Sequence, residues 1–196
     1  LEKAYESFDA NAPSRVSPYL IPNTLANLAS GAIAIDLKAK GHNLAIVTAC
    51  ASGSNAIGEA FRSIQLGVQD VIIAGASDAA ITPLALAGFA AMRAMYTGDD
   101  PSLACIPFDG DRSGTVMGEG AGILVLEELE HAKQRGVPIL AEIIGYGTNC
   151  DAYSITSPEQ EGITISKAMQ DALDDATIQA KDVDYINAHG TSTILN

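Results

Sequence analysis

The chain has 196 residues, 47% of them hydrophobic, and a mean hydropathy of +0.17, enough apolar material for a sizeable core and too much for a disordered chain. With 24 acidic against 11 basic residues, the formal charge is −13 and the pI about 4.4. That field repels a phosphate backbone or an anionic membrane surface, so neither nucleic acid nor membrane is expected as a partner.

In chain order, "LEKAYESF" places Leu1, Ala4, Tyr5 and Phe8 on one helical face, and Pro13, Pro18 and Pro22 punctuate the loop that follows. Asn23 is a candidate cap for a helix running towards Gly41. A strand is predicted over 44–47, then a helix with Ile57, Ala60, Phe61 and Ile64 at i, i+3, i+4, i+7, ending near Gly67. "DVIIAGAS" reads as a second strand and "PLALAGFAAMRAM" as a helix. The loop "YTGDDPSLACIPFDGDRSG" is long for a connection and hints at a functional surface. "GAGILVLEELEHAKQRG" reads as strand then helix, "ILAEIIGYG" as a strand and "EGITISKAMQDALDDA" as a helix with Ile163, Ala168, Ala172 and Ala176 towards one side. The strand "VDYINA" then delivers His189.

Short apolar strands alternating with helices predict an α/β layered fold with a largely parallel sheet covered on both faces, in which sites collect at the carboxyl ends of strands. Cys50 and His189 both stand there. A helix beginning near Ala51 would set its unpaired N–H groups and positive dipole end beside the Cys50 sulfur, favouring the thiolate and hence a nucleophile. The small residues of "ACASGSNA" suit a tight elbow. A small buried hydrophobe is the alternative reading of Cys50. In "NAHGTST", His189 is an imidazole able to donate a hydrogen bond or proton near neutral pH, or alternatively one satisfied by local turn bonds.

Three stretches in this order, "VTACASGSNAIGEAFRSIQ", "PFDGDRSGTVMGEGAGILVLEELEHAKQRG" and "VDYINAHGTST", resemble the β-ketoacyl-acyl-carrier-protein synthases, in particular the type II elongating ketosynthases of the thiolase superfamily. The resemblance covers essentially the whole chain. It implies a thiolase-like layered α/β fold, incomplete here, with residues 1–138 in the N-terminal half and 139–196 beginning the C-terminal half. It also implies a homodimer acting with acyl carrier protein, in the cytoplasm, by decarboxylating condensation in fatty acid elongation. By the resemblance Cys50 is the acyl-accepting nucleophile and His189 the first of two histidines that bind the malonyl thioester carbonyl. Thr191 and Thr193 contact the pantetheine arm, while Phe89, Ala49 and Ala85 line the acyl and malonyl channel. No cofactor or metal is implied beyond the carrier's phosphopantetheine. A polyketide ketosynthase domain and a non-catalytic ketosynthase fragment remain the alternatives.

The resemblance further implies that the second histidine, a lysine and a glycine-rich segment lie beyond the position of Asn196, and that opening strands precede Leu1. An isolated chain of this extent is therefore expected to be poorly stable. Departures from the family pattern are Ile194 for a common proline, Ser154 for a frequent histidine, and Ala85 for a common glycine, which would narrow the acyl pocket.

The remaining features point elsewhere. "DGDRSGTVMGE" offers Asp109, Asp111 and Ser113 as a calcium loop, but Glu119 falls one position short of the bidentate ligand. "GEGAG" and "GSNAIG" complete no dinucleotide fingerprint. His42 reads as a turn residue and His131 as a solvated helix residue. Cys50, Cys105 and Cys150 form no C-x-x-C pair, so reduced thiols are expected, inert at Cys105 and Cys150. No apolar run approaches the ~20 residues of a membrane span, and "LEKAYESFDA" lacks the basic-then-apolar pattern of a leader.

Overall fold

Ile57, Ala60, Phe61 and Ile64 recur at helical spacing, and the segment that carries them forms the helix around which the larger part of the structure is organised. A computed structural model describes residues 2–8 and 16–196. The helices are α1 (Glu2–Ser7), α2 (Leu28–Leu37), α3 (Ser52–Gln65), α4 (Pro83–Ala91), α5 (Leu129–Arg135) and α6 (Ile163–Ala176), and the strands are β1 (Val71–Asp78) and β2 (Gly120–Glu127). Contacts divide the chain into two units, Leu1–Ala56 and Ile57–Asn196.

In the first unit, α2 starts later than the sequence predicts. Asn23 lies within a 3-10 turn, Pro22–Thr24, and Asn27 is the residue before the helix, with no side-chain cap bond from either. The helix closes early because Lys38 adopts φ 54, a left-handed conformation from which Lys38 and Ala39 donate N–H groups to Ile35 and Ala34. Tyr5 and Phe8 of the predicted α1 face are exposed rather than packed, and Leu1 lies outside the described residues.

In the second unit, β1 and β2 pair antiparallel from Val71 opposite Glu127 to Asp78 opposite Gly120. On one face Ile72, Ala74 and Leu126 receive Ile57, Ala60, Phe61 and Ile64 of α3, with Ile143 alongside. α3 stops where expected, with Gly67 at φ 68 and its N–H on Ile64. Arg62 then ties three segments: its guanidinium donates to Asp175 of α6 at 2.9 Å and to the Tyr146 carbonyl at 3.1 Å, and it lies over the Phe61 and Tyr146 rings. Asp175 also accepts the Tyr146 N–H at 2.9 Å. Glycine is required beside α6, since a Cβ on Gly145 would come 2.3 Å from the Ala172 carbonyl and one on Gly147 would come 2.1 Å from that of Ala168. The alanine side of α6 therefore faces this segment, as its spacing predicts, while Ile163 is exposed.

The sheet corrects the expectation of a largely parallel one. Among the described residues it has two strands, and the apolar segments 44–47, 139–147 and 183–188 form no ladder. Apolar runs report burial and not the direction of a neighbour, and a segment becomes a strand only when another supplies its hydrogen bonds. Only one face of the sheet is covered: Ile73 is 40%, Ile123 49% and Val125 66% exposed on the other.

The end of β2 carries a charged latch. Glu127, with its side chain 10% exposed, accepts both Nε and a terminal N–H of Arg135 at 2.8 and 2.9 Å and lies 2.5 Å from Nδ1 of His131. His131 is thus partnered rather than simply solvated. The Arg135 fork, followed by His131, holds the Glu127 carboxyl down at about 2, below its ordinary 4.5.

Two outcomes follow from this packing. The isolated 196-residue chain will bind the apolar dye ANS strongly and melt without a sharp transition; a cooperative melt with no dye binding would contradict the exposed-face account. Because Glu127 ionises more readily when folded, the stability it contributes is present above pH 4.5 and lost as pH falls from 4.5 towards about 2. Glu127→Gln in the complete protein should flatten that limb of the urea midpoint against pH, whereas an unchanged slope would exclude the latch.

Candidate active site

Cys50 is exposed and sits in the middle of a 3-10 turn, Ala49–Ala51, immediately ahead of α3. The elbow is tight because Ala49 takes φ 50, a left-handed conformation that costs an alanine about 1–2 kcal/mol. Ser52 straps it shut. Its hydroxyl accepts the Thr48 N–H at 2.9 Å and donates to the Ala49 carbonyl at 2.7 Å, and Asn55 donates to the Thr48 hydroxyl at 2.8 Å. Small residues are needed here for conformation, and the polar ones close the turn. Cys50 and Ala49 belong to the first unit.

The second unit holds the other predicted residues in two groups. Ala85 and Phe89 are four residues apart on α4 and so share a face. The Thr82 hydroxyl caps that helix by accepting the Ala85 N–H at 3.3 Å. His189 is exposed and is followed by Gly190 at φ 56 and Ser192 at φ 62. Two left-handed residues alternating with Thr191 and Thr193 bring the threonine hydroxyls 2.7 Å apart, with the Thr193 N–H also directed at the Thr191 oxygen at 3.4 Å.

Ser192 pins this loop. It is 0% exposed, its hydroxyl accepts the Ile106 N–H at 3.0 Å, and its carbonyl accepts the Gly114 N–H at 3.0 Å. Gly114 must be glycine, because a Cβ there would lie 2.3 Å from the Tyr96 nitrogen. Tyr96 in turn donates its N–H to Thr115 at 2.9 Å, closing the 96–115 loop at its base. The long loop expected to carry function therefore serves as the floor under the threonines. Sequence reading missed Ser192, Arg112 and Ser52. For Ser192 the available signal was a serine between two threonines after glycine; for Arg112 it was one cation in an acidic turn. In that turn Asp109 accepts the Asp111 N–H at 2.9 Å.

Together, the cysteine elbow and the histidine–threonine loop in an α/β chain define the condensing-enzyme class. The β-ketoacyl synthase N-terminal domain matches residues 2–132 and the β-ketoacyl synthase C-terminal domain residues 140–196, and the chain belongs to the β-ketoacyl synthase family. It is 55% identical over 192 residues to the 3-oxoacyl-[acyl-carrier-protein] synthase 2 of Staphylococcus aureus, covering 98% of this chain and 48% of that protein. The Synechocystis enzyme of the same name is 55% identical over 185 residues, covering 94% and 44%. Among solved structures, a type II PKS ketosynthase in complex with its acyl-carrier protein, bound to the hexaketide, superposes with a TM-score of 0.93 at 34% identity over 100% of this chain and 50% of that one. A β-ketoacyl synthase from Burkholderia phymatum gives 0.91 at 38% identity over 99% and 47%. The fold is therefore the thiolase-like α/β fold of these ketosynthases, and the chain spans about half the length of the curated relatives it matches.

Ala49→Gly should raise the stability of the complete protein by about 1 kcal/mol by removing the left-handed penalty. Ser52→Ala should lower it by about 1 kcal/mol through loss of the strap. Urea midpoints check both, and equal midpoints for the two variants would refute the strained elbow.

Proposed function

We propose that the protein carrying this chain catalyses decarboxylating condensation of malonyl-acyl-carrier protein with a cysteine-bound acyl chain in fatty acid elongation. The observation that carries the reading is the exposed Cys50 on its strained elbow, the residue to which the sequence resemblance assigns the nucleophile's role. Sγ of Cys50 attacks the thioester carbonyl of acyl-acyl-carrier protein, and the phosphopantetheine thiolate leaves and takes a proton. The Cys50 backbone N–H supplies one donor to the oxyanion, a contribution of the order of 3 kcal/mol when preorganised. Malonyl thioester then occupies the site and loses CO₂, and the two electrons of the broken carbon–carbon bond become an enolate. A hydrogen bond from His189 to the thioester carbonyl oxygen stabilises that charge. The enolate carbon attacks the acyl-Cys50 carbonyl, the Cys50 thiolate leaves, and 3-oxoacyl-acyl-carrier protein is released.

In this scheme Thr191 and Thr193 grip the pantetheine arm, and Phe89, Ala49 and Ala85 border the acyl chain. No cofactor or metal beyond the carrier's own phosphopantetheine enters the scheme. Acyl carrier protein is the protein partner and the active assembly a homodimer, with halves dividing near residues 138 and 139, working in the cytoplasm without nucleic acid or membrane. Likeness to a ketosynthase solved with its acyl-carrier protein supports that choice of partner. Among the described residues no helix is long and apolar enough to cross a membrane.

A polyketide ketosynthase is the second reading, favoured by the 34% identical type II PKS structure. The 55% identity to 3-oxoacyl-[acyl-carrier-protein] synthase 2 favours elongation. The test is intact mass spectrometry of the complete protein with medium-chain acyl-acyl-carrier protein. Wild type should gain the acyl mass and Cys50→Ala should not, while His189→Ala should acylate normally yet condense about 10²-fold more slowly or worse. An adduct persisting in Cys50→Ala would overturn the assignment, and repeated condensation without reduction would favour the polyketide reading.

A further inference from the structure

Arg112 takes part in none of the chemistry proposed above, yet two of its three guanidinium nitrogens are directed at the threonine loop. Nε donates to the carbonyls of Thr193 and Asn196, each at 3.0 Å, and one terminal nitrogen donates to the Ile194 carbonyl at 2.8 Å. The other donates to the Asp109 carbonyl at 2.9 Å in its own turn. Arg112 thus joins the acidic turn to the stretch following the paired hydroxyls. Asn196, held at its carbonyl, returns its side-chain oxygen to the Thr191 N–H at 3.2 Å. The restraint therefore brackets Thr191 and Thr193 from one side, and buried Ser192 anchors them from below.

The hydrogen count shows what the bracket achieves. Two hydroxyls 2.7 Å apart share one hydrogen between them, so one O–H of the pair is left over as a donor. Its aim depends on the left-handed Ser192 backbone staying in place, a conformation the serine would leave if unrestrained.

We propose that Arg112 is a positioning residue, which holds the Thr191–Thr193 hydroxyl pair as a single aimed donor for the amide-bearing pantetheine arm. The proposal rests on the ketosynthase reading above. A lysine could not replace it, because an ammonium presents three donors at one point and cannot span carbonyls on two turns.

The test uses the complete protein, comparing Arg112→Ala, Arg112→Lys and Thr191→Val/Thr193→Val for acylation of Cys50. One substrate is an acyl-pantetheine thioester; the other is a p-nitrophenyl ester of the same acid, which has no pantetheine arm. Both Arg112 variants and the threonine double variant should raise KM for the pantetheine thioester about tenfold, and in the Arg112 variants kcat and the rate with the ester should stay within about twofold of wild type. Ethylguanidinium should restore KM in Arg112→Ala and leave the threonine variant unchanged. A fall in the ester rate equal to that in the thioester rate would make Arg112 merely structural and overturn the proposal, as would an unchanged KM in Arg112→Lys. If Arg112→Ala does not fold, Arg112→Lys decides alone. Wild type that is not acylated by either substrate removes the ketosynthase reading, whereas a raised KM in the threonine variant alone removes only the role of Arg112.

Discussion

The seating of α3 on the β1–β2 ribbon is the contact on which the larger unit depends. Of the buried hydrophobic residues among the described ones, Ala60, Ala74 and Leu126 meet there, and Ala132 lies apart. Apolar burial at about 25 cal/mol per Å² is the main term holding such a contact, and the small Ala60 lets helix and sheet approach closely. Arg62 extends the same helix to α6 through Asp175, so α3, the Tyr146 stretch and α6 share one cation as a fastener. The opposite sheet face presents Ile73, Ile123 and Val125 to solvent, which leaves the ribbon covered on one side only.

Local polar chemistry takes over where that core ends. Cys50 is presented by a turn that forces Ala49 left-handed and is closed by Ser52, while Thr191 and Thr193 are presented by a loop that forces Ser192 left-handed and is closed by Ile106, Gly114 and Arg112. Both devices store backbone strain of the order of 1–3 kcal/mol and hold it with hydrogen bonds. Strain of this kind is a common feature of chemically active turns, and here each strained residue adjoins a position carried over from the family motif.

Much of this was legible in the chain. The i, i+3, i+4, i+7 stripe of α3 and the alanine side of α6 marked real packing faces, and Gly67 marked a real helix end. Cys50 and His189 stood out because each follows an apolar run and precedes small residues. What failed were the strands over 44–47, 139–147 and 183–188, since a β-branched run specifies a preference and the ladder partner must come from elsewhere. The direction of β2 failed for a related reason: an apolar run carries no record of its neighbour's polarity. Asn23 was misjudged because Pro22 drew it into a 3-10 turn. The roles of Arg112 and Ser192 were only faintly marked, because their partners are backbone carbonyls and N–H groups roughly eighty residues away, and no side-chain pattern records those.

The central claim is that Cys50 holds an acyl chain while malonyl thioester loses CO₂ and attacks it. The most direct test supplies the complete protein with acyl-acyl-carrier protein and malonyl-acyl-carrier protein labelled with ¹³C at the free carboxyl, and follows labelled CO₂ and 3-oxoacyl product together by mass spectrometry. One labelled CO₂ for each 3-oxoacyl chain, with no label retained in the product, is the predicted result. Acyl transfer with no CO₂ released, or CO₂ released with no carbon–carbon bond formed even when acyl-Cys50 is present, would contradict it.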